Sequence, residues 1–171
     1  MCTSPKRSPL PDLFGSMSDQ ALLAAQGYLE LGMVEEALAE LSTVDTSLLQ
    51  DPDVIELRLH ILMQGCHWNE AIIAAESLLQ LRHDALTAYI HGAFALHELG
   101  RTSEARDLLL KGPLVLRQDP TFHYNIGCYE AVLGNRDAAI ESLRQSFAMD
   151  ETFRDFAKAD PDLLEIAKEL S

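Results

Sequence analysis

Small residues recurring at a fixed interval leave this chain little freedom over its fold. Ala37, Ala71, Ala105 and Ala139 fall 34 residues apart, and two further columns keep the same phase. One is Gly32, Cys66, Gly100 and Gly134; the other is Ala25, Leu59, Ala93 and Gly127. Glu36, Glu70 and Glu104 precede three of the alanines, with Ala138 before the fourth. A period of this length marks a stack of supersecondary units, each burying its apolar side only against its neighbours.

Within the unit the apolar spacing is helical. Val34, Ala37, Leu38, Leu41 and Val44 form one stripe and Trp68, Ala71, Ile72 and Ala75 another, each near the i, i+3, i+4, i+7 pattern. No segment reads as a strand. The glycine column supplies the left-handed residue that ends one helix before the next begins, so each unit is a helical hairpin. Asp51-Pro52, Asp119-Pro120 and Asp160-Pro161 join a capping acid to a proline in the first turn, the signature of a helix start. Ser18 and Asp84 are the expected caps of the other two first helices. Gly112-Pro113 falls inside the expected second helix of the third unit, which should stop near Lys111 and leave Leu114 to Gln118 as a tighter turn.

The combination resembles the tetratricopeptide repeat (TPR) family, whose 34-residue unit places a small residue, an aromatic, a turn glycine and an alanine at fixed offsets. Ala25, Tyr28, Gly32 and Ala37 fill them in the first unit, and the third offers Tyr89, Ala93, Leu96, Gly100 and Ala105. Cys66 in place of the turn glycine and Glu130 in place of an apolar residue are departures. The resemblance implies an all-α, right-handed superhelix of four helical hairpins plus C-terminal capping helices. Its repeats would span 18–51, 52–85, 86–119 and 120–153, with a cap at 154–171, forming one domain over 18–171. Residues 1–17, with Pro5, Pro9 and Pro11 among small and basic residues, are expected as a flexible tail.

Charge narrows the partners. Thirteen Lys and Arg against 27 Asp and Glu leave a net charge of -14, which repels nucleic acid and anionic membrane surfaces. Cys2, Cys66 and Cys128 are odd in number and match no CxxC spacing, so neither a disulfide framework nor a zinc cluster is expected, and a reducing, cytoplasmic setting is. The apolar run Leu10 to Phe14, broken by Pro11 and Asp12, is too short for a signal peptide. No HExxH, GxGxxG or P-loop is present, so no enzyme and no cofactor is expected. Two minor chemical readings stay open: a metal site gathered across helices from His60, His91 and Cys128, and a thiol catalyst at Cys128 beside a histidine. Trp68 reads as a packing residue rather than a ligand platform.

In the family that the chain resembles, function comes from the concave surface lined by the first helix of each unit. The groove positions carried over include Glu56, Leu57, His60, Ile90, His91, Phe94, Tyr124, Asn125 and Cys128. Gln26, His60, Phe94 and Cys128 should align as one row, with Glu56, Ile90 and Tyr124 in the next. Not one groove position is Lys or Arg, so the basic clamp by which some relatives seize a C-terminal carboxylate is absent. The implied function is a protein-interaction adaptor holding a partner's peptide, apolar with basic residues nearby; the alternative is a TPR-type chaperone for a secreted client.

Overall fold

In the computed structural model, which describes residues 17–166 and 169, every regular element is helical. Four hairpins follow one another: α1 (Met17–Glu30) with α2 (Val34–Ser42), α3 (Pro52–Gln64) with α4 (Trp68–Leu81), α5 (Leu86–Glu98) with α6 (Thr102–Leu110), and α7 (Pro120–Val132) with α8 (Arg136–Met149). A short α9 (Phe153–Ala159) and a 3₁₀ turn (Pro161–Leu163) close the stack. The expected tail lies outside the described residues except for Met17, which opens α1, and so do cap residues 167, 168, 170 and 171.

The alanine column explains the stacking. Ala37, Ala71, Ala105 and Ala139 are each fully buried, at the positions where a larger side chain would hold the helices of a hairpin apart. The second small column reaches its limit at Gly127, where a Cβ would meet Leu143 Cγ at 2.5 Å. Gly32, Gly100 and Gly134 adopt φ of +72°, +75° and +80°, as the turn requires. Cys66 adopts the same left-handed conformation, φ +56°, although it carries a side chain. The glycine stands one place earlier instead: a Cβ on Gly65 would lie 2.5 Å from His67 Cδ2 and 2.6 Å from Val34 Cγ1, so that glycine serves close approach and not the turn.

Asp51, Asp119 and Asp160 each accept a hydrogen bond from the backbone N–H two residues on, at 2.8, 2.8 and 3.0 Å, with proline opening the helical turn. The other two expected caps are otherwise placed. Ser18 lies inside α1, buried, and its Oγ accepts from the Asp45 N–H at 3.2 Å, tying α1 to the loop after α2. Asp84 does not cap α5; Ala85 precedes that helix with no side-chain bond. As expected, α6 ends at Leu110 and a 3₁₀ turn covers Leu114–Gln118. The first unit shows the same interruption without a proline: α2 stops at Ser42 and a 3₁₀ turn follows at Leu48–Gln50. Second helices thus alternate between nine and fourteen residues along the chain.

Two apolar clusters meet at α3. One joins α1, α2 and Ile61; the larger runs from Leu59 and Leu62 through every later unit to Leu163 and Ile166 of the cap. The capping segment therefore covers the end of the stack with Leu163 and Ile166, while Leu164 is exposed.

Candidate functional site

The first helices α1, α3, α5 and α7 lie side by side, which sets equivalent residues in rows across the concave face. Along the central row Gln26 and Phe94 are exposed, the latter at 36%, His60 is half-buried and Cys128 is only 5% exposed. In the adjacent row Glu56 and Ile90 are half-buried and Tyr124 is buried. Leu57 packs on the first cluster beneath the groove, and Asn125, its counterpart in the fourth unit, is buried. Leu23 holds that same column in the first unit and is 72% exposed.

Phe94 stands at the middle of the open stretch. Its ring meets Trp68 edge to face at 5.8 Å between centroids, and Trp68 itself packs on the large core cluster. The tryptophan is thus a packing residue whose packing extends to the next unit and props the phenylalanine. Beside it, His60 of α3 and His91 of α5 touch edge to face at 5.0 Å. Burial lowers the His91 pKa to about 4, and the neighbouring His60 adds to the effect while Glu56 opposes it. The Nδ1 atom of His91 is buried and has no hydrogen-bond partner.

The acidic rim is not bare. Arg82, just past the end of α4, donates to Asp53 at 2.7 Å and to Glu56 at 3.3 Å, while the Thr87 hydroxyl donates to the other Glu56 oxygen at 2.6 Å. Reading the first helices alone misses this arginine, because it enters the groove from a loop.

The fourth unit is closed off. Asp160 Oδ2 accepts from the Tyr124 hydroxyl at 2.7 Å and from Cys128 Sγ at 3.5 Å, and Asp162 Oδ2 lies 2.8 Å from His97 Nε2. Burial first, and Asp160 second, push the pKa values of Tyr124 and Cys128 well above their ordinary ranges, so both stay protonated. A buried, protonated thiol is a poor nucleophile, which removes the basis for a thiol catalyst at Cys128. Among the described residues no group of three His, Cys, Asp or Glu side chains is placed to hold a metal ion; His60 and His91 adjoin, whereas Cys128 faces Asp160. The structure therefore brings Glu56, His60, Ile90, His91 and Phe94 together on the open face, sets Leu57 beneath it, and covers Tyr124, Asn125 and Cys128.

No family model matches the sequence, and no curated protein does. Solved structures do match. A structure described as MamA 41-end from Desulfovibrio magneticus RS-1 superposes with a TM-score of 0.76 at 18% identity, covering 91% of this chain and 92% of that one. A crystal structure of MamA protein gives 0.75 at 16% identity over 92% and 85% of the two chains, and MamA MSR-1 gives 0.70 at 18% over 83% and 80%. MamA proteins are TPR folds. This chain has the TPR fold. At these identities the likeness speaks for the architecture, and the TPR groove must be read from this chain's own side chains.

Proposed function

We propose that this TPR chain is a non-catalytic protein-interaction module that holds a peptide segment of a partner in the open part of its concave face, over α1, α3 and α5. One observation carries the reading: Phe94, a large apolar side chain, is left 36% exposed at the groove's centre while braced from behind by Trp68. A propped aromatic beside half-buried Ile90 suits an aliphatic anchor of the partner, and buried anchors of this kind dominate binding energy. Because Arg82 already pairs with Asp53 and Glu56, part of the acidic rim is neutralised, so apolar contact contributes more to affinity and charge more to encounter. We place the protein in the cytoplasm, a reading that the free thiols of Cys66 and Cys128 support.

Affinity capture with the native chain and with Phe94→Ala, followed by titration of the captured partner, tests the proposal. Loss of a hot spot worth about 2 kcal/mol weakens binding roughly thirtyfold. A partner that binds native, Phe94→Ala and Glu56→Lys proteins equally well overturns it. One dominant secreted client among the captured proteins would identify the chaperone instead of the adaptor.

A further inference from the structure

A donor cluster on the concave face is filled by the chain itself. After α9 the backbone turns at Asp160-Pro161 and lays a short segment against α7, next to α5. Asp160 uses one carboxylate oxygen to cap its own turn, accepting from the Asp162 N–H at 3.0 Å. Its other oxygen takes the Tyr124 hydroxyl and the Cys128 thiol, both from groove rows. Asp162 takes His97, whose other ring nitrogen is 3.0 Å from the Thr102 hydroxyl and whose ring lies 4.9 Å from that of Tyr129. The Tyr129 hydroxyl is buried in the same place without a hydrogen-bond partner. Leu163, next in sequence, is fully buried. Three donors from two adjacent first helices thus converge on two carboxylates spaced i, i+2, with an aliphatic side chain anchoring the next position.

That arrangement reads one chemistry. Uncharged O–H and S–H donors, with an imidazole N–H, satisfy acceptor-only groups, and none of the three carries a negative charge to pair with a lysine or arginine. Resting on the concave surface being the binding face, we propose that the part of it between α5 and α7 is a recognition subsite for an acidic Asp-x-Asp turn followed by an aliphatic residue, occupied in cis by Asp160–Leu163 and, when that strap lifts, by a segment of the same chemistry from a partner protein. The strap thereby regulates the groove. A tethered ligand acts at an effective concentration on the order of millimolar, so a free segment competes only weakly until the strap is loosened.

The test uses the full chain, a thiol reagent whose site of reaction is read by mass spectrometry, and a labelled synthetic peptide, ADPDLLEI, copied from residues 159–166. Cys66, exposed, is the internal reference for buried Cys128. In the double variant Asp160→Asn, Asp162→Asn, Cys128 is expected to react at least about tenfold faster than in the native chain, with Cys66 unchanged. The peptide should bind the variant at least about tenfold tighter than the native chain and slow Cys128 again. The control peptide ANPNLLEI should do neither. Equal Cys128 rates in native and variant chains, or equal protection by the control peptide, overturns the subsite. So does protection that appears only as the variant dimerises, since the occupant would then be a second copy. Should the double variant fail to melt cooperatively, Tyr124→Phe, which keeps the strap and removes one donor, must still accelerate Cys128; no change there refutes the proposal. None of these readouts touches Phe94, so a chain that fails here but still discriminates Phe94→Ala loses the subsite and keeps the open groove.

Discussion

Lowering the pH should loosen the junction between the second and third units before it affects the rest. His91 is held neutral by burial against His60, with a pKa of about 4 where an unstrained histidine has about 6.5. As pH falls, the unfolded chain takes up this proton first, so between pH 6.5 and 4 the unfolded state binds more protons and stability falls with pH. For one such group the loss from pH 7 to pH 5 is about 2 kcal/mol, rising to about 3 kcal/mol below pH 4. Carboxylates such as Asp150, whose pKa is lowered by its bonds to Thr152, also lose stabilisation in acid, so the native curve alone does not isolate the histidine. A variant does. His91→Asn installs the residue that the same column carries in the fourth unit, Asn125, and removes the titration. Urea unfolding of both proteins at pH 7 and pH 5 should show the native chain losing about 2 kcal/mol more than the variant, or about 4–8 °C in melting temperature. Parallel curves would mean that His91 becomes protonated without penalty in the folded state, and the burial argument would be wrong.

Other perturbations probe the repeat and the groove. Ala71→Glu forces a charge into a fully buried helix contact and should cost several kcal/mol, read as a large drop in thermal midpoint. Gly127→Ala sets a methyl group against Leu143 and should destabilise by about 1–3 kcal/mol in a chemical melt, whereas Gly27→Ala, with open space around it, should not. Arg82→Gln frees Asp53 and Glu56, so association of a basic partner should accelerate and grow more salt-sensitive in stopped-flow measurements; unchanged salt dependence would show that these acids do not face the partner.

The parts of this molecule that a reader of the sequence recovers are those set by local sterics. The turn residues and the alanine column repeat because two helices cannot approach closely over anything larger, so register, hairpin number and the Gly112-Pro113 stop are legible from residue type and spacing. Caps are legible only where proline reinforces them: Asp51 and Asp119 bond as expected, while Ser18, judged by type alone, spends its hydroxyl on a residue 27 positions away. The closed end of the groove was beyond such reading. It lies past the last unit, where no repeat supplies a register, and Asp160-Pro161 gives the same signal whether it begins a helix or turns a strap. A longer period is also present in the sequence. Leu48, Gln50, Asp51 and Pro52 return 68 residues later as Leu116, Gln118, Asp119 and Pro120, and each set follows one of the nine-residue second helices. Where Leu48 and Leu116 stand in the odd units, Arg82 and Asp150 stand in the even ones, just past helices of fourteen residues. The structural repeat is therefore a pair of hairpins. In the odd units the column ends in a 3₁₀ turn with an apolar residue; in the even ones it ends in a charge. In the second unit, the longer helix carries that charge to the groove, where Arg82 meets Asp53 and Glu56, and this is how an arginine comes to serve a surface whose own helices contribute none there.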